Sequence, residues 1–203
     1  MKELKKLFDN NKEFQRRKLK EDESFFKRLA ILQSPKYFWV GCSDSRIPAN
    51  EIVGLEPGEL FVHRNVGSLF PSNDSNCLAA LEFAVDTLKV EHVIVCGHYG
   101  CGAMQAALEK GKKDAVDIWL QSVRELYTKH KKELDAIEDL EKRANHLAEL
   151  NVKEQVQNIC KTSIAQKAWK RNQKLCVHGW IYDLKTGLLK DLNLCISDPK
   201  YIA

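Results

Sequence analysis

Apolar residues in the first part of the chain recur at helical spacing. Leu4, Leu7, Phe8 and Phe14, then Phe25, Phe26, Leu29 and Ile31, share a face of an otherwise charged segment, which predicts helix over 1–33. Pro35 closes that pattern. The run Tyr37-Phe38-Trp39-Val40-Gly41 predicts a buried strand, followed by turn-forming residues over 42–50. A second strand is expected at 59–62, after the turn signal Pro57-Gly58. Asn73 and Asp74 are placed to cap a helix through Leu78, Leu81, Phe83, Ala84 and Leu88. The clearest strand is His92-Val93-Ile94-Val95-Cys96, continuously apolar as in a parallel sheet covered on both faces. A tight loop spans 97–102, and a helix starts near Ala103. Residues 115–171 read as helical almost throughout, and 175–182 and 188–194 as two last strands joined at Lys185-Thr186-Gly187. Strands alternating with helices predict an α/β fold, a mainly parallel central β-sheet flanked by helices. No repeat or low-complexity linker interrupts it, so 1–203 reads as a single domain with an N-terminal helical arm over 1–33.

Composition narrows the functional classes. At 203 residues the chain suffices for one well-buried core, and 44% of it is hydrophobic against 30% charged. The net charge of +4 is spread along the chain, with no basic face interleaved with aromatics, so nucleic acid is not an expected partner. The lysine-rich stretches at 129–132 and 167–171 read as solvated helix faces. No apolar run approaches the ~18–20 residues of a membrane span. Residues 1–20 are charged, unlike a secretory signal. Seven cysteines, an odd set in such a chain, point to the cytoplasm, where they serve as core residues or metal ligands rather than disulfides.

Two segments concentrate the polar chemistry, each just after a predicted strand: Gly41-Cys42-Ser43-Asp44-Ser45-Arg46 and Cys96-Gly97-His98-Tyr99-Gly100-Cys101-Gly102. Ligands of open α/β sheets bind at the carboxyl ends of strands. Two neighbouring strands ending there would bring Cys42, His98 and Cys101 together. A Cys2His set suits zinc and leaves a fourth tetrahedral position open, as catalytic sites do. Two thiolates neutralise the ion's charge, so water bound there is acidified less than at a three-histidine site. In this setting Asp44 would orient the attacking group, and Arg46 would hold the carboxylate off the metal. Without Arg46, Asp44 could become a fourth ligand and close the site. The remaining cysteines, Cys77, Cys96, Cys160, Cys176 and Cys195, read as packing residues. His92 and His178 read as core or surface histidines, and His63, His130 and His146 have no partner pattern.

On these two segments, together with 56–66 and His178-Gly179-Trp180, the chain resembles the β-class carbonic anhydrases over nearly its whole length. The resemblance implies a zinc lyase that hydrates carbon dioxide reversibly to bicarbonate and a proton, through hydroxide formed at zinc. It implies one Zn2+ per chain on Cys42, His98 and Cys101, with Asp44 and Arg46 as the catalytic dyad. Gln33, Phe61, Val66 and Phe83 would line the substrate pocket, and the Gly102 N–H would help hold bicarbonate. The pocket would lie at an interface within a homodimer or homotetramer. Position 83 departs from the tyrosine common there, so any role for that hydroxyl is absent. Trp39, Arg64 and Tyr182, with Gly41 beside them, match the regulatory bicarbonate site of the bicarbonate-regulated (type II) bacterial members, in which the aspartate ligates zinc at lower pH. Two alternatives stand beside this reading. One is a carbon disulfide or carbonyl sulfide hydrolase on the same scaffold; the other is a non-enzymatic, bicarbonate-responsive zinc protein, against which the retention of both Asp44 and Arg46 argues.

Overall fold

The structure, a computed structural model, describes residues 2–109, 111 and 114–201. The chain divides into two compact units, Met1–Ser34 and Pro35–Ala203. The first holds helices α1 (Lys2–Glu21) and α2 (Phe25–Ile31). The expected run of helix breaks between them. There the Asp22 carboxylate accepts from the Ser24 N–H at 2.9 Å and the Ser24 hydroxyl at 2.8 Å, local bonding that competes with helix continuation. Phe14 and Phe26 pack edge to face across the break, with ring centres 6.1 Å apart.

In the second unit a five-stranded sheet runs in the order β2-β1-β3-β4-β5. Its strands are β1 (Tyr37–Cys42), β2 (Leu60–Asn65), β3 (His92–His98), β4 (Cys176–Asp183) and β5 (Leu188–Ile196). The first four are parallel, and β5 returns antiparallel to β4 around the turn at 184–187. Both β1 and β3 are almost wholly buried, as their unbroken apolar runs require. Helices α3 (Ala49–Val53), α4 (Ser75–Glu82), α5 (Gly102–Leu108), α6 (Ala115–Trp119), α7 (Gln121–Lys129), α8 (Lys131–Asp135), α9 (Leu140–Lys161) and α10 (Ser163–Lys170) complete the unit. Asp74 caps α4 by accepting from the Cys77 N–H at 2.7 Å, and the helix continues into a π turn at Phe83–Thr87.

α9 lies against β3 and β4, and two glycines make the fit. A Cβ at Gly97 would stand 2.7 Å from Val152 Cγ2, and one at Gly179 would stand 3.1 Å from Val152 Cγ1. Val152, Val156 and Ile159 are fully buried in the main core with Phe38, Val40, Val93 and Val95. Close helix–sheet contact thus fixes the height of the loop after β3, where His98 and Cys101 sit.

The cysteine expectation needs one correction. Cys176 and Cys195 are joined as a disulfide, their Cα atoms 6.1 Å apart. Local sequence shows only two cysteines in apolar strands; the antiparallel return of β5 makes them neighbours. Cys42, Cys77, Cys96, Cys101 and Cys160 are free and buried. The histidines also have more partners than their sequence contexts suggest. His92 Nδ1 lies 3.1 Å from His178 Nε2, and His63 Nε2 lies 3.4 Å from Cys77 Sγ. His130 and His146 both meet the Glu133 carboxylate. Among the described residues, no helix is long and apolar enough to cross a membrane.

Candidate metal centre

Pairing of β1 with β3 aligns Gly41 with Cys96, so the two loops that leave these strands emerge side by side. Cys42 ends β1, His98 ends β3, and Cys101 occupies the N-cap position of α5. The ligand atoms of Cys42, His98 and Cys101 all lie within 4.8 Å of one another, and all three residues are buried. His98 is 1% exposed. Its Nδ1 meets the Tyr99 carbonyl at 3.0 Å; because a carbonyl only accepts, Nδ1 carries the proton and Nε2 the lone pair. That Nε2 is buried and has no hydrogen-bond partner. A buried polar atom left unpaired is costly in any fold, and a cation between the three side chains would supply the missing partner.

The two sulfurs behave as one unit. The Cys42 thiol is held far below its usual range, chiefly because the Cys101 thiol donates a hydrogen bond to it. Burial opposes the shift, while the N–H groups of Gly67 and Asp44 support it. Cys101, the donor, is pushed up by the same contact and by burial, against the N–H groups of Met104 and Ala103. A divalent cation bound here would displace the proton between the sulfurs and take both as thiolates. The donor set therefore fits a zinc-class ion: two soft anionic sulfurs, one neutral imidazole and an open fourth side.

Beside the sulfurs, Asp44 is held by Arg46. The guanidinium donates from Nε to Oδ1 at 2.9 Å and from Nη2 to Oδ2 at 2.6 Å, and the Arg46 N–H adds a third bond to Oδ1 at 3.0 Å. These bonds, the Arg46 side chain first, keep the carboxyl well below the usual carboxylate range, so Asp44 is an anion at any working pH. Its Oδ2 nevertheless lies only 3.8 Å from His98 Nε2. The carboxylate thus stands beside the cluster of Cys42, His98 and Cys101, held by Arg46. A cleft of about 390 Å³ opens alongside, lined in part by Arg46, Tyr99 and Gly100.

The pocket residues named from sequence are only partly assembled. Phe61 and Phe83 face each other with ring centres 5.8 Å apart. Val66 immediately precedes Gly67, whose N–H reaches Cys42, and Gly102 follows Cys101. Val66 and Phe83 are 41% and 42% exposed, high values for apolar side chains. Gln33 is exposed in the N-terminal unit.

The second group forms a distinct arrangement around the same loop. Trp39 is fully buried, yet its indole Nε1–H, a donor, is also unpaired. A Cβ at Gly41 would sit 2.3 Å from that nitrogen, so only glycine leaves room there. Arg64, opposite Gly41 in the strand register, donates from Nε to the Cys42 carbonyl at 2.7 Å and from Nη2 to the Asp44 carbonyl at 2.5 Å. It thus braces the backbone of both a metal ligand and the neighbouring carboxylate. Tyr182, on β4, packs against the small core cluster that contains Trp39.

Several scaffolding residues escaped the sequence reading. Asn65 clamps the 66–69 turn with both ends of its amide, each bond to Leu69 being 2.7 Å. From α9, Gln155 accepts from the Phe70 N–H at 2.8 Å, Asn151 donates to the Gly67 carbonyl at 3.0 Å, and Asn145 accepts from the Gly100 N–H at 2.9 Å. The available signal was polar amides on the apolar face of a long helix, which need buried partners.

The sequence profile of the carbonic anhydrase family matches residues 37–189, most of the chain, including Cys42, Asp44, Arg46, His98 and Cys101. A carbonic anhydrase of Emericella nidulans is 48% identical over 189 residues, covering 93% of this chain and 83% of that protein. The chain belongs to the β-class carbonic anhydrases. Its activity is accordingly that of a carbonic anhydrase. Solved structures agree with the family assignment. A tetrameric β-carbonic anhydrase from Sordaria macrospora superposes with a TM-score of 0.93 at 34% identity, covering 97% of this chain and 100% of that one. A Coccomyxa β-carbonic anhydrase in complex with acetazolamide gives 0.92 at 39% identity, covering 96% and 88%.

Proposed function

We propose that this β-carbonic anhydrase works through one zinc ion per chain held by Cys42, His98 and Cys101, and that Asp44 and Arg46 set whether the site is open. The observation that carries the reading is the buried, proton-free His98 Nε2 facing two cysteine sulfurs beside a restrained carboxylate. When bound, zinc lowers the pKa of a coordinated water from 15.7 toward about 7, which makes hydroxide available near neutral pH. The chain's own residues do the rest. Asp44, fixed by Arg46, accepts a hydrogen bond from the attacking group and orients it. Phe61, Val66 and Phe83 form an apolar lining for carbon dioxide, and the Gly102 N–H helps hold the bicarbonate product. Because Val66 and Phe83 are still exposed, the pocket is best completed by a second copy of the chain, in a homodimer or homotetramer.

The same chain carries a bicarbonate sensor at Trp39, Gly41, Arg64 and Tyr182. The unpaired Trp39 N–H and the Arg64 guanidinium offer an anion two kinds of donor. An anion that draws Arg64 away removes its bonds to the Cys42 and Asp44 carbonyls and frees Asp44 to reach the metal. Bicarbonate then favours the closed form.

Carbon dioxide hydration measured from about pH 7 to about pH 9, with and without added bicarbonate, tests both parts. The active form is the deprotonated one, so the rate rises with pH and is lost as pH falls. Bicarbonate suppresses it most at the lower end. Trp39→Phe, which removes only the N–H, should weaken bicarbonate suppression about tenfold, the equivalent of one hydrogen bond to an anion. Zinc-loaded protein inactive across the whole range overturns the catalytic reading; suppression unchanged in Trp39→Phe overturns the sensor.

A further inference from the structure

At the opposite end of the sheet, a second set of soft donors converges. The ligand atoms of Cys176, His178 and Cys195 lie within 4.8 Å of one another. Cys176 and His178 are two residues apart on β4 and so share a face, and Cys195 on β5 stands opposite His178 in the antiparallel register. His178 is oriented from behind by His92, whose Nδ1 lies 3.1 Å from its Nε2. His92 in turn stacks on Tyr37, with ring centres 5.6 Å apart. This supported imidazole beside two cysteines resembles the Cys42, His98, Cys101 centre in kind. Cys176 is level with His92 and His178 with Ile94, so along the strands the set lies about 13–20 Å from His98 at about 3.3 Å per residue, and the two sets share no ligand. None of its members has a part in the catalytic reading above.

The cysteines are joined in this structure, so their sulfurs have no charge to offer a cation. We propose that Cys176, His178 and Cys195 form a second zinc-class metal site when the disulfide is reduced, and that the two cysteines alternate between a covalent bond and metal ligation. Two molecules of a small thiol carry out the reduction. The Cys176–Cys195 bond breaks, a disulfide forms between the two small thiols, and their protons end on the protein sulfurs. Zn2+ then binds both sulfurs as thiolates and releases those two protons to solvent. Cys195 is exposed and gives a reductant access, while Cys176 is only 9% exposed and lies at the buried side of the set. The donors come from two strands already paired by backbone hydrogen bonds. The geometry is therefore in place before the ion arrives, and little chain must be ordered to bind it.

The test is zinc content of the full-length holoprotein. Wild-type protein is equilibrated with inorganic zinc after reduction by a phosphine, or after oxidation by diamide, and freed of loose metal. The reduced form should carry about one zinc per chain more than the oxidised form. Cys195→Ser and His178→Gln should lose that increment under reducing conditions while keeping wild-type carbon dioxide hydration. Cys42→Ser, which attacks the other centre, should keep it. The increment thus stands or falls separately from the catalytic zinc. Equal zinc in reduced and oxidised wild type, or an increment that survives Cys195→Ser, overturns the proposal.

Discussion

Replacing Cys42 or Cys101 with serine is expected to strip zinc from the centre and bring carbon dioxide hydration down to background. Both sulfurs are buried, at 5% and 4% exposure, and with the His98 nitrogen they lie within 4.8 Å of one another, close enough to hold one cation. A serine hydroxyl stays protonated at neutral pH and contributes neither the charge nor the softness that zinc selects. The site then asks a cation to bind one thiolate and one imidazole in a buried pocket, too few donors to offset its desolvation. Without the ion, the chain has no group that brings water's pKa from 15.7 toward about 7. The variants should fold, because serine fits the space of cysteine. Elemental analysis, stopped-flow hydration and a thermal melt on the same sample separate metal loss from unfolding. A serine variant with full zinc and full rate would remove these cysteines from the ligand set.

Arg46→Ala should give the opposite dissociation, with zinc retained and rate lost. The Arg46–Asp44 pair is 57% exposed on the arginine side, and exposed pairs contribute about 0–1 kcal/mol to stability. Thermal stability should therefore hardly change. The catalytic cost is much larger, because Asp44 loses the side-chain donors that position it and lies within 3.8 Å of the metal-facing nitrogen of His98. Misplacing an orienting group by such a distance costs about 10²-fold or more in rate. Arg46→Lys should recover only part of it, since one ammonium cannot reproduce the two-pronged contact. Equal losses of rate and of zinc would show that Arg46 holds the fold of the loop rather than the carboxylate.

How much of this was readable in advance depends on whether the cause was local. β1 and β3 were legible because parallel strands buried on both faces must be apolar throughout, and residues 37–41 and 92–96 are. The three candidate ligands were legible because strand-end loops in such sheets converge. α3 was not, since a short helix inside a turn-rich stretch carries too few residues for periodicity. The Asn65 clamp and the α9 amides were also hidden, because each depends on a partner far along the chain. The Cys176–Cys195 bond was read wrongly for the same reason: it is created by the hairpin register, which neither cysteine's own neighbours encode.

The β2-β1-β3-β4 strand order has a further consequence, for the sequence of events in folding. Tyr37 pairs with His92, and His92 with Cys176, so every central pairing closes a long loop of chain before it gains a contact. Such topologies fold slowly, and their nuclei are entropically costly. Cys42 and His98 meet only once β1 and β3 have paired, so zinc has no complete cage to enter in the early, collapsed chain. On the proposed zinc site, metal acquisition would then be a late step that locks a sheet already built, after a metal-free, native-like stage. Their maturation rate should follow zinc supply, while the formation of the sheet should not.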